Sequence, residues 1–311
     1  MTAGEHLQRG HWQAGFAYRH LTANQWFVGR QVREDAAPFR KPLLLDINSL
    51  DLVAGYGVSD STRIALTVPF SRGTHSRLYA DNQRHKVAAE GLGDITVGMT
   101  HWIRDGSRAP MTWNIELGAG IKTATGRNDV MDDYFLATGK TRFTVDQSIQ
   151  LGDGGWGVVI DGQAFRVITA HTHVYVSGSY LVSPRNQSSV HQALAGPYAT
   201  VQVSIPDVYN ARGGLTYAVP GVGATFTLGG RIDGIASRDL IGKSDGFRRP
   251  AIIGYVEPGL TLSRGADAVS LSVPVRAYVD FRSTVLDRTL RFKGGGDLAR
   301  KLLFASYLHR F

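Results

Sequence analysis

The chain contains no cysteine in its 311 residues. A disulfide framework is therefore excluded, although a chain that closes on itself by strand pairing needs none. Long hydrophobic runs are also missing. A membrane helix requires roughly 20 consecutive apolar residues, and the longest stretches, such as Leu43-Leu44-Leu45, fall far short. Met1 to Gly10 lacks the apolar core of a signal peptide, so an exported form would be a mature chain carrying a start Met. No G-x-S-x-G elbow is present. Gly152-Asp153-Gly154-Gly155 lacks the repeated acidic spacing of a calcium loop. Gly294-Gly295-Gly296 lacks the strand-to-helix context of a phosphate cradle.

What is abundant is glycine, at 37 residues, and positive charge, at a formal +8. Neither zinc-finger nor aromatic RNA-binding signatures accompany the charge, so nucleic acid is not the expected partner. A basic surface also suits lipopolysaccharide phosphates. The mean hydropathy of −0.12 is that of a water-soluble chain. It is equally that of a membrane barrel, where lipid-facing and lumen-facing residues alternate and cancel.

Period-2 alternation recurs from end to end. Trp12, Ala14, Phe16 and Tyr18 alternate with Gln13, Gly15, Ala17 and Arg19. Ile64, Leu66, Val68 and Phe70 alternate with Arg63, Ala65, Thr67 and Pro69. Val269, Leu271, Val273, Val275 and Val279 oppose Ser270, Ser272, Arg276 and Asp280. The pattern predicts about twelve strands, starting near Gly10, Ile47, Thr62, Gly93, Pro110, Gly155, Thr172, Asp207, Gly223, Ala251, Ala268 and Arg300.

Connections alternate too. Short ones are expected at 59–61, 104–109, 167–171, 220–222 and 264–267, and long polar ones at 21–45, 71–92, 123–154, 183–206, 235–250 and 282–299. Short periplasmic turns and long external loops are the asymmetry of an outer-membrane barrel. A soluble sandwich also alternates. Here the apolar faces carry Trp and Tyr near strand ends, and the opposite faces are rich in Gly, Ser, Thr and charge, a poor soluble core. The expected fold is all-β: a closed antiparallel transmembrane β-barrel of outer-membrane type, one domain over 1–311. Residues 1–9 are expected as a flexible periplasmic segment, and the even strand count places both termini in the periplasm. Leu303, Ala305, Tyr307, His309 and Phe311 share one parity. The terminal Phe311 with Tyr307 resembles the signal by which the barrel-assembly machinery recognises its clients.

Several motifs then look familiar in order and spacing. Gly120–Gly126 resembles G-x-K-x-P-T-G, with Ala124 at the proline position. Gln147–Trp156 resembles a Q-x-G-x-G-S-W stretch, and Ile205-Pro206-Asp207 a V-P-D motif. Asp239–Gly242 and Gly246–Pro250 resemble a D-L-I-G and G-F-R-R-P-G pair, with Ala251 where a glycine would follow. Glu257-Pro258-Gly259 and Val273-Pro274-Val275 complete the series. From about Leu50 to Phe311 the chain thus resembles the outer-membrane transporters catalogued as putative meta-pathway of phenol degradation proteins. The resemblance implies a small barrel passing hydrophobic or aromatic compounds.

On the lumen parity lie Arg19, Asp51, Arg63, Asp94, Glu116, Lys122, Asp161, Arg212, Arg231, Asp233, Glu257, Arg276 and Asp280. A lone lumen charge must be solvated or paired, so cross-lumen ion pairs are expected. Such pairs either fill the interior or line a selective pore. Glu116, Lys122, Arg231, Asp233, Glu257 and Arg276 are expected at similar depth, as a constriction. The adjacent Arg248 and Arg249 either clamp their loop to Asp239 or Glu257, or contact a solute or lipopolysaccharide. His171 and His173 share a face but lack a third ligand, so no metal or other cofactor is expected.

The function expected is passive passage of small, hydrophobic or aromatic solutes through an outer-membrane channel, with loops 123–154 and 235–250 folded over the mouth. A hydrophobic solute would leave sideways near Gly213-Gly214 and Gly229-Gly230. Two alternatives belong to other classes: a barrel enzyme acting on membrane lipid, and a closed structural barrel with binding loops.

Overall fold

The computed structural model describes residues 7–33, 43–105, 111–194, 199–291 and 294–311. Twelve antiparallel strands form its sheet: β1 (Trp12–Val28), β2 (Leu44–Gly57), β3 (Thr62–Leu78), β4 (Arg84–Leu92 and Thr96–Trp102), β5 (Trp113–Lys122), β6 (Gly157–Thr169), β7 (Thr172–Val182), β8 (Val208–Val219), β9 (Ala224–Ile235), β10 (Ala251–Arg264), β11 (Asp267–Ser272 and Val275–Phe281) and β12 (Gly295–Arg310). Each pairs with its sequence neighbours, and β12 returns to pair β1 from Gln13↔Arg310 to Val28↔Gly295. The sheet therefore has no free edge around the barrel, which is what a lipid environment demands of strands. Among the described residues no helix is long and apolar enough to cross a membrane.

Parity decides which face each side chain takes. Phe16, Leu52, Leu66, Met99, Leu117, Val176, Leu215, Phe226 and Leu228 are exposed on the outside. A belt of large exposed apolar residues around a closed barrel is the lipid-facing surface. Aromatic contacts border it: Trp12 packs on Tyr56 and Phe16 on Tyr307 towards the short turns, and Tyr180 stacks on Tyr209 towards the long loops. On β3 the belt ends at Arg72, whose guanidinium reaches Glu90 at 3.5 Å with both side chains exposed.

The predicted starts match within a few residues for most strands, but the long connections are shorter than the alternation suggests. β1 continues to Val28, β3 to Leu78, and β4 begins at Arg84. These strands outrun the lipid belt, lose their apolar outer face, and so read as loop. The turn expected at 104–109 lies partly outside the described residues, as does most of the 1–9 segment. Of the latter, Leu7 is buried, and the Arg9 N–H donates to Asp60 at 3.0 Å.

Two irregularities position the interior. Pro69 sits mid-strand in β3 and has no N–H to offer β4. Opposite it β4 breaks, and the Gly93 N–H donates to the Pro69 carbonyl at 2.7 Å. In β11 the register shifts between Gly254↔Tyr278 and Tyr255↔Arg276, leaving Ala277 as an extra residue. Such a bulge reverses facing beyond it. Val279 consequently packs inward with Phe27, Ala251 and Phe281. Asp280, expected in the pore, instead faces outward, 3.6 Å from Arg30 and 3.7 Å from Arg282.

Candidate functional site

The interior divides by polarity along the barrel axis. Near the short turns, Glu116 is nearly fully buried and accepts from Thr100 Oγ1 at 2.6 Å, from Arg63 at 3.2 Å and from Gln163. Asp161 lies over Gly118, where any β-carbon would clash with its carboxylate. Arg212 reaches Glu257 at 3.4 Å, and Ser272 donates to the same oxygen at 3.0 Å. Arg19 donates to Ser49 at 3.3 Å and lies close enough to Asp51 to act on it electrostatically. Towards the long loops the lining turns apolar. Leu21, Ala23, Leu45, Ile47, Ile253, Tyr255, Leu302 and Phe304 form one cluster, and Ile149 of the 123–156 loop inserts into it against Gly73. Arg231, paired with Asp233 at 2.9 Å, lies 4.8 Å over the Phe304 ring.

The ion pairs therefore run along the wall and not across the lumen. Arg63 and Glu116 are two strands apart, as are Arg212 and Glu257, while Arg231 and Asp233 share a strand. Neighbouring inward positions are within reach of a long side chain, whereas the opposite wall is not. Arg231 bridges further, from β9 to Phe304 on β12, while Arg276 on β11 again spans two strands, donating to Gln25 on β1 and lying 4.4 Å over Phe27. Nor do the six expected constriction charges share a depth. Lys122 is six residues above Glu116 on β5, about 20 Å along a strand. There it ties the loop base together, donating to Asp94 (2.9 Å), Asp153 (2.7 Å) and the Gly155 carbonyl (2.7 Å). Asp94 is available for this because it occupies the β4 break opposite Pro69.

Loops 123–156 and 236–250 fold over the long-loop end. Arg248 makes a bidentate pair with Asp239, both contacts at 2.6 Å and both side chains fully buried. Asp239 also accepts from the backbone N–H of Asp207 at 2.9 Å. Arg248 is thus a clamp. Its neighbour Arg249 turns the other way, reaching Asp146 at 3.4 Å and packing over Trp26 and Phe247.

Beneath these loops lies a cavity of 370 Å³, within the range of small-molecule pockets. Trp26, Tyr79, Tyr134, Phe143 and Phe247 supply aromatic walls, and His75, Arg77 and Arg249 supply basic groups. Burial pulls the His75 imidazole down to about 4, with Asp146 opposing and Arg77, Arg249 and Arg84 adding to the fall. Burial alone would raise Asp146, but Arg249, His75 and the Ser148 bonds hold it below the usual carboxylate range. Behind the cavity, burial and the nearby Asp146 push Asp297 up to about 7 against the pull of Arg249.

Of the charged and aromatic side chains lining this cavity, only the adjacent Arg248 and Arg249 stand out as site candidates in the sequence. His75, Arg77 and Tyr79 fall in what reads as a long polar loop. The signal that could have found them is the unbroken alternation of Thr74, Ser76 and Leu78 against Gly73, His75 and Arg77. Among the described residues no group of three potential metal ligands is present.

The expected seam at Gly213-Gly214 and Gly229-Gly230 is not a weak point. β8 and β9 pair without a shift from Val208↔Ile235 to Val219↔Ala224. The ladder thins between β11 and β12 instead, where Asp267–Ser272 contributes six pairs but Val275–Phe281 a single one, Val275↔Lys301.

The fold and this interior define an outer-membrane β-barrel. Its architecture is shared with an outer membrane channel from Pseudomonas putida F1, at 14% identity and a TM-score of 0.65, covering 100% of this chain and 99% of that one. Looser likeness extends to the translocator domain of the autotransporter NalP from Neisseria meningitidis (10% identity, TM-score 0.48, 99% and 91% covered). It extends also to the toluene transporter TbuX from Ralstonia pickettii (12%, 0.45, 98% and 90%). No protein-family model matches the chain, and no curated protein matches it in sequence.

Proposed function

We propose that this barrel is a passive outer-membrane channel for small hydrophobic or aromatic molecules. The observation that carries this reading is the aromatic-walled cavity at the long-loop end, set against a packed apolar cluster of the barrel wall, with the closed ion pairs Arg63–Glu116 and Arg212–Glu257 further along the strands. An apolar solute gains by leaving water for that cavity. It gains nothing by going further, because stripping water from Arg63–Glu116 or Arg212–Glu257 is not compensated. Its exit is then sideways through the β11–β12 seam. A channel role agrees with that of the Pseudomonas putida F1 barrel of the same fold, and the Gly120–Pro258 motifs agree with the transporters of phenol-degradation pathways.

In this reading both chain ends lie in the periplasm and the long loops face lipopolysaccharide outside. Phe311 and Tyr307 present the strand end to the assembly machinery. Energy comes from the solute gradient. The test is uptake of labelled toluene by vesicles whose outer leaflet contains lipopolysaccharide, with a small sugar as comparison. Toluene should enter faster than into protein-free vesicles, and the sugar should not. If neither solute gains from the protein, the channel reading is wrong.

A further inference from the structure

At the long-loop edge of the lipid belt, one sector of the outer face turns polar. Strand register places Leu303 of β12, His20 of β1, Asn48 of β2 and Arg72 of β3 in one row. Asn48 and Arg72 have the parity of the exposed Leu50 and Phe70, so the row lies outside the barrel, one step above the belt. Its middle is a hydrogen-bonding surface. The Tyr18 hydroxyl donates to Asn48 Oδ1 at 2.6 Å, and His20 Nδ1 lies 3.0 Å from the same oxygen. Thr22 and Asn48 donate to the Asp46 carboxylate at 3.1 and 2.8 Å.

Cations stand at both ends of the row. At the β12 end the ladder shifts between Leu21↔Leu302 and Ala23↔Ala299. Leu302 and Ala299 both belong to the inward apolar cluster. The two residues between them, Arg300 and Lys301, are both exposed and share the outer face with Thr22. A bulge sets two consecutive side chains on one side, which a regular strand does not. Among the described residues neither cation has an ion-pair partner. At the β3 end Arg72 is 69% exposed and meets the equally exposed Glu90 at 3.5 Å, a contact too screened to hold it against a stronger anion. Lys86 of β4, exposed on the same face, pairs with Ser76 further up β3.

We propose that this sector binds the phosphorylated sugar headgroup of lipid A, the glycolipid anchor of lipopolysaccharide. One phosphate lies on Arg300 and Lys301, the other on Arg72 and Lys86, and the disaccharide lies over His20, Thr22 and Asn48. The acyl chains then run down the belt along Leu50 and Phe70. The span fits. β12 and β3 are three strand spacings apart, about 14 Å, comparable to a disaccharide with a phosphate at each end. Each phosphate gains charge-assisted bonds at the depth where lipid headgroups sit. A phospholipid carries a single phosphate and can engage only one flank. The site rests on the orientation given above, with the long loops outside, and not on the channel.

The test is titration of the full chain in detergent micelles with diphosphoryl lipid A, monophosphoryl lipid A and phosphatidylglycerol, with bound lipid counted by native mass spectrometry. Diphosphoryl lipid A should bind about ten-fold or more tighter than the monophosphoryl form, the scale of a charge-assisted contact. The double variant Arg300→Gln, Lys301→Gln and, separately, Arg72→Gln should each bring diphosphoryl lipid A down to about the affinity of the monophosphoryl form. Arg264→Gln, an exposed cation at the opposite rim, should change nothing. Heat-modifiable migration checks that each variant is folded. Equal affinity for the two forms of lipid A overturns the proposal, as does phosphatidylglycerol binding as tightly as the diphosphoryl form, or folded flank variants that bind like wild type. Orientation is read separately. The chain has no cysteine, so Thr138→Cys, exposed at the turn of the 131–144 hairpin, reports whether a membrane-impermeant maleimide reaches the long loops on intact cells. Labelling without selective lipid binding keeps the orientation and removes the site. Selective binding without labelling removes both, because the sector would then face away from the leaflet that holds the lipid.

Discussion

At the scale of single residues, burial decides which charges matter. Arg248 and Asp239 are sealed from water and bidentate, so removing one leaves the other stranded. Arg248→Ala should cost about 3–5 kcal/mol in urea unfolding from liposomes. Arg127→Ala breaks an exposed pair, 3.1 Å long, and should cost less than about 1 kcal/mol. Equal losses would contradict the clamp. Asp297 gives a pH signature. Its carboxyl is raised from 3.8 to about 7, so between those values the folded chain holds a proton that the unfolded chain has released. Wild-type stability should therefore fall as pH rises through that window, and Asp297→Asn should abolish that component. The variant's stability relative to wild type should rise from pH 4 to pH 8. A difference independent of pH would show that Asp297 titrates normally. The depressed His75 works in the opposite direction but is common to both proteins and cancels. Neither residue's environment could be read from the chain, because burial of a polar strand tip depends on loops more than a hundred residues away in sequence.

At the scale of elements, alternation made most of the barrel legible and failed where the period or the lipid stopped. β3 is the clearest case. Its sequence from Ile64 to Phe70 declares an outer apolar face, while the exposed Arg72 and the buried Thr74 and Ser76 continue the same strand beyond the lipid belt. Strand and lipid belt are different objects, and the sequence marks only the second. β11 shows the other limit. Val269 to Asp280 reads as one strand, but one bulged residue turns the end of it over. That yields a prediction. Deleting Ala277 should join Arg276 to Tyr278 in one regular ladder and leave Val279 and Phe281 in their cluster with Phe27 and Ala251, so the heat-modifiable folded band should be retained. Deleting Ala277 and Tyr278 together shifts the facing by one residue, forcing Asp280 inward and Val279 and Phe281 outward, and should abolish that band. A double deletion that folds as well as wild type would mean that the facing of the end of β11 does not matter to the barrel.

At the scale of the whole molecule, the barrel exists only when its first and last strands meet, pairing residues as far apart in the chain as Gln13 and Arg310. Near the short turns that seam is continuously paired, from Gln13↔Arg310 to Leu21↔Leu302 without a shift. Its last link is backbone: the Phe311 N–H donates to the Trp12 carbonyl at 2.9 Å. The Phe311 ring itself is 68% exposed and meets the His309 ring edge-on at 4.6 Å. A large exposed terminal ring adds little to the finished barrel, so its value lies in assembly. Removing Phe311 should therefore lower the yield of inserted, heat-modifiable protein in cells, while the fraction that does insert unfolds in urea close to wild type. Arg310→Ala changes a residue of opposite facing on the same strand and should leave both quantities nearly unchanged. If deletion of Phe311 instead lowers unfolding stability as much as it lowers yield, the residue serves closure and not recognition. If both variants insert equally well, the terminal aromatic carries no insertion signal, and the β1–β12 ladder alone accounts for how the cylinder shuts.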